Sequence, residues 1–71
     1  MEDLLSALRA AGEATRLRIL AVLARSELTV SELCKVLGQT QPRVSRHLRL
    51  LCEAGLLDRN AQGTSAFYRP A

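Results

Sequence analysis

Between Leu37 and Thr40 the chain has two residues, Gly38 and Gln39, in which to stop one helix and start another, and nothing else in the sequence narrows the fold as much. Upstream, Thr29 and Glu32 stand at capping-box spacing, where each side chain can satisfy a backbone N–H at a helix start. A helix follows from about Val30 to Leu37, with Val30, Leu33, Cys34 and Leu37 inward. Gly38 suits the left-handed conformation that closes a last turn. Downstream, Thr40 is a capping residue, and Pro42 falls in the first turn of a new helix, where a missing N–H costs nothing. That helix continues until Gly55, a second glycine placed to follow a helix end.

Two helices joined by so short a glycine-containing turn form a helix-turn-helix, the unit that lays its second helix in the major groove of DNA. On a wheel of about 100° per residue, Val44, Leu48 and Leu51 fall within about 60° of one another, and Ser45, Arg46 and Arg49 lie about 100 to 200° from Val44. One flank is core and the other is serine and arginine. Gln41, Ser45 and Arg46, nearest the helix start, are the expected base-reading residues. Thr40, Arg43, His47 and Arg49 are expected at the interface too, the last three on the DNA backbone, where the positive helix dipole adds to their charge. A solvated charged face is the alternative use of such a run.

The remainder predicts four helices followed by a two-stranded wing, one domain over residues 1–71. Asp3 starts a first helix with Leu4, Leu5, Leu8 and Ala11 in a stripe, ended by Gly12. A second runs from Glu13 to about Arg25, with Leu17, Leu20, Ala21 and Ala24 on one face and Ile19, Val22 and Leu23 widening the apolar arc. After Gly55 the pattern changes to a β-hairpin turning at Asn60-Ala61-Gln62-Gly63. Its turn can lie along the flanking backbone or minor groove, with Arg59, Arg69, Gln62 and Thr64 as contacts. Phe67 or Tyr68 packs on the helices.

Composition agrees with a small α-rich fold. At 71 residues, 48% hydrophobic but only 3% aromatic, the core must come from Leu, Ile, Val and Ala. A core this small gains from a partner subunit. The net charge of +3 fits a polyanionic partner, and nine of the ten cations are Arg, whose planar fork suits phosphate and guanine edges. No signal peptide or bilayer-spanning run is evident, so a cytoplasmic protein is expected, with no membrane partner. Cys34 and Cys52 form neither a CxxC pair nor a disulfide framework and are expected to be reduced.

Four segments in order, Glu13-Ala14-Thr15-Arg16-Leu17-Arg18-Ile19-Leu20, Glu27 to Leu33, Gln41 to Leu48 and Glu53 to Leu57, resemble the ArsR family of bacterial repressors. The resemblance spans nearly the whole chain. It implies a winged helix-turn-helix homodimer that binds double-stranded DNA at an inverted repeat, represses transcription and lets go on a signal. Metal-sensing members carry cysteines in the segment matching Glu27 to Leu33, where this chain has Thr29 and Ser31. A lone Cys34 supplies too few ligands for a soft metal, so no metal or cofactor is expected. Family members usually add a helix after the wing that packs with the first helix in the dimer. Here either residues 3–11 alone support the homodimer, or the chain is the amino-terminal piece of something longer, as in ArsR-type modules that precede an S-adenosylmethionine-dependent methyltransferase.

No nucleophilic triad, carboxylate pair or phosphate-cradling glycine loop is present, so catalysis is not expected. Two further readings stay open. The fold could serve as a protein-docking module, and Cys34 with Cys52 could form a redox dithiol rather than two small buried hydrophobes.

Overall fold

The computed structural model describes residues 2–71. Helix α1 (Glu2–Leu23) leads into a short strand β1 (Leu28–Thr29), helices α2 (Val30–Leu37) and α3 (Gln41–Glu53), and strands β2 (Leu57–Gln62) and β3 (Ser65–Pro70). The strands form one antiparallel sheet in the order β1-β3-β2. This is a winged helix-turn-helix, mainly helical with a small sheet.

The core is a cluster of Ile19, Leu23, Leu33, Leu37, Val44, Leu48, Leu51 and Leu57, drawn from all three helices and β2. Spacings of three and four residues bring each helix's contribution onto one face. Tyr68 packs against the cluster from β3, with Cys34 and Cys52 also at its edge.

Four expectations are corrected. The two amino-terminal helices are one helix of 22 residues. Gly12 is not among the residues with positive φ. A glycine costs an interior helical position about 1 kcal/mol relative to Ala, too little to break a helix without a proline or a left-handed cap. The face of α1 that is buried also differs. Leu17 is 69% exposed and Ala21 and Ala24 are exposed, whereas Ile19 is fully buried and Leu23 nearly so. Which stripe of a broad apolar arc turns inward depends on where α3 and β3 lie against it.

The wing turn comes later in the chain than expected. Gln62 pairs with Ser65, so the connection is Gly63-Thr64, and Asn60 and Ala61 are strand residues. Gly63, at φ +61°, takes the positive-φ position that a two-residue hairpin reserves for glycine. Lastly, the sheet has a third strand. Leu28 pairs with Tyr68 and Thr29 with Phe67, which ties the segment before α2 to the wing.

Candidate nucleic-acid interface

The α2–α3 unit is built by local hydrogen bonds. Thr29 caps α2: its Oγ1 accepts from the Glu32 N–H at 3.2 Å, and its own N–H donates to Glu32 Oε1 at 2.9 Å. Those bonds to Thr29, backbone first, hold the exposed Glu32 carboxyl below its ordinary pKa. Gly38, at φ +66°, ends the helix, its N–H donating to the Cys34 carbonyl at 2.9 Å. Thr40 then turns extended, and its carbonyl accepts from the Val44 N–H at 3.1 Å to start α3. The Thr40 hydroxyl makes no capping bond, contrary to expectation, and the residue is exposed beside the free N–H groups of the first turn.

Helix α3 is thereby held with Val44, Leu48 and Leu51 in the core and Gln41, Arg43, Arg46 and Arg49 exposed. Ser45 is half-buried. This outer flank gathers polar and cationic groups able to meet base edges and phosphates.

His47, expected on the DNA backbone, is set apart from these exposed side chains. It lies half-buried on the flank facing α1, where its Nδ1 is 3.3 Å from Arg16 Nη1. Burial, and then the charges of Arg16, Arg46 and Arg43, push its pKa below the ordinary imidazole value. A neutral ring with a lone pair at Nδ1 is the state that can accept from a guanidinium. Arg16 itself was not among the sequence candidates. The signal that pointed to it was Gly12, one helical turn earlier, which reads as a helix end by composition and as an opening beside Arg16 in three dimensions.

The wing places Gln62 and Thr64 at its exposed tip. Arg59 is exposed within β2, directly opposite Tyr68, and Arg69, exposed on β3, stands opposite Asp58. Both cysteines are free and half-buried. Burial, with Asp58 adding to it, pushes the Cys52 thiol up, which disfavours the thiolate that disulfide exchange requires. Among the described residues no group of three or more His, Cys, Asp or Glu could hold a metal ion. Nor, among the described residues, is any helix long and apolar enough to cross a membrane.

Comparison with known proteins decides the lineage. Residues 13–59 match the family of bacterial regulatory proteins described as arsR. The chain belongs to the ArsR family. It is 50% identical over 56 residues to the arsenical resistance operon repressor of Escherichia coli K12, covering 78% of this chain and 48% of that protein. The chain thus spans about half the length of that curated relative. Among solved structures, HlyU from Vibrio cholerae superposes with a TM-score of 0.80 at 34% identity, covering 90% of this chain and 70% of that one. The solution structure of a homodimeric winged helix-turn-helix DNA-binding domain from Mycobacterium bovis, a possible ArsR-family regulator, superposes with a TM-score of 0.78 at 31% identity. It covers 99% of this chain and 68% of that one. The two solved structures share the overall fold of this chain.

Proposed function

We propose that residues 1–71 are the DNA-binding domain of an ArsR-family transcriptional repressor that acts in the cytoplasm as a homodimer on an inverted repeat. One observation carries this reading: α3 is anchored by a fully buried apolar flank and presents Gln41, Arg46 and Arg49 on the exposed one. Gln41, Ser45 and Arg46 read base edges. Arg43, Arg49 and the Thr40 hydroxyl meet the backbone, and Arg59, Gln62 and Thr64 of the wing reach the flanking phosphates or minor groove. The partner copy packs on α1, where Leu4, Leu5 and Leu8 are 59, 48 and 61% exposed. Such a cluster on a small protein fits an association surface.

The test is a salt titration of affinity for labelled duplex DNA carrying an inverted repeat from the protein's own promoter region. Each phosphate contact contributes a slope of about −0.9 in log affinity against log salt. An Arg46→Ala, Arg49→Ala double variant weakens binding, and loss of the Arg49 phosphate contact flattens the slope by about 0.9. Preference for the repeat over random duplex is expected as well. An unchanged slope and affinity in the double variant would overturn the assignment of α3, and indifference of the wild type to DNA would turn the fold into a protein-docking module.

A further inference from the structure

Between the amino-terminal half of α1 and α3 runs a cleft of about 610 Å³. Beside Leu5 and Leu8 at the edge of the proposed dimer face, Arg9 and Arg16 from α1 and Arg43 and Arg46 from α3 line it, and among the described residues no acidic side chain does. Four guanidiniums without a counter-charge make the cleft an attractor for anions. Arg16 is held within it. Its Nη1 donates to His47 Nδ1 at 3.3 Å, and it lies over Gly12, where an added Cβ would come within 3.2 Å of that same Nη1. A guanidinium carries five N–H donors, so one bond to His47 leaves the others available.

We propose that Arg16, with Arg43, binds a phosphate of the DNA backbone at this cleft, and that His47 is a positioning residue that holds the Arg16 guanidinium there instead of touching DNA itself. The assignment rests on the DNA-binding reading above. The backbone is the favoured source of the anion because Arg43 and Arg46 belong both to the cleft and to α3's exposed surface. A duplex docked along α3 therefore carries its phosphates past the cleft mouth. His47 serves as a prop because a neutral Nδ1 can accept from Arg16, and the ring already lies among the charges of Arg16, Arg43 and Arg46.

The experiment measures affinity and salt slope for the same labelled duplex with the full chain, each variant first checked for native circular dichroism. Arg16→Gln keeps the aliphatic stem and removes the charge. It is expected to weaken binding on the order of tenfold and to flatten the slope by about 0.9. His47→Leu should do the same, whereas His47→Asn, whose Oδ1 takes the place of Nδ1, should retain most of the wild-type affinity. Combining His47→Leu with Arg16→Gln should add nothing to the loss. An Arg16→Gln protein that binds like a salt-sensitive wild type overturns the phosphate site and leaves the DNA-binding reading intact. A salt-indifferent wild type overturns both. Equal losses from His47→Leu with and without Arg16 would show that His47 acts by itself and overturn its role as a prop. Inorganic phosphate, tested against chloride at matched ionic strength without DNA, should leave the wild-type melting temperature unchanged. Stabilisation that disappears in Arg16→Gln would assign the cleft to a free anion instead.

Discussion

Gly12→Ala separates stability from DNA binding, because the two should move in opposite directions. The residue is inside α1 with ordinary helical geometry, so alanine gains about 1 kcal/mol of helix propensity. The new methyl would meet Arg16 Nη1 at 3.2 Å and His47 Cε1 at 3.8 Å. The closer neighbour is the tip of a flexible, half-buried side chain, which can shift by a few tenths of an ångström at little cost. Most of the propensity gain should therefore survive. In a domain this small, 1 kcal/mol corresponds to about 4–8 °C in melting temperature. Where that shift lengthens the Arg16–His47 hydrogen bond, affinity for DNA should fall toward that of Arg16→Gln. Thermal unfolding followed by circular dichroism at fixed protein concentration and a parallel binding titration give both quantities. If the variant melts below wild type, the methyl has no room and the geometry argued for Gly12 is wrong. If affinity holds while Arg16→Gln loses it, the glycine does not serve Arg16.

Leu48→Ala removes a fully buried side chain from the centre of α3 and should cost about 2–5 kcal/mol, enough to leave much of the population unfolded in denaturant titrations. Thr29→Ala, which removes the cap of α2, should cost about 0.5–2 kcal/mol in the same assay, and the Glu32 carboxyl should titrate closer to its ordinary value when followed by NMR. Because the native state holds His47 below its ordinary pKa, the unfolded chain takes up the proton first. Stability is then complete above the ordinary imidazole value and declines as pH falls from there toward the depressed one, a dependence that His47→Asn should flatten in denaturant midpoints. Charging the exposed face of α1 with Leu5→Glu and Leu8→Glu should convert a dimer to a monomer in light scattering and leave helix content in place.

The helix-turn-helix was legible because its signals are local. Thr29 and Glu32 cap within three residues, Gly38 adopts the left-handed turn, and Val44, Leu48 and Leu51 repeat with helical period. Most of the interface candidates followed from the same wheel, and Arg43, Arg46 and Arg49 are exposed as it required. The surroundings of His47 were not legible, because its position on the wheel at the edge of the core admits either solvent or a neighbouring helix, and the neighbour is 31 residues away at Arg16. Gly12 was misread since a glycine after an apolar stripe looks the same whether a helix stops there or runs on.

By itself, then, the sequence determined the capped α2, the turn, the amphipathic α3 and the presence of a hairpin, all written in hydrogen bonds and backbone angles within a few residues. Tertiary structure decided which face of α1 is buried, that Leu28 and Thr29 add a strand to the wing, and that Arg16 meets His47. Each of those outcomes depends on a partner distant in the chain. Local spacing shows that a residue can pair or bury itself; the partner it finds is set only when the elements pack.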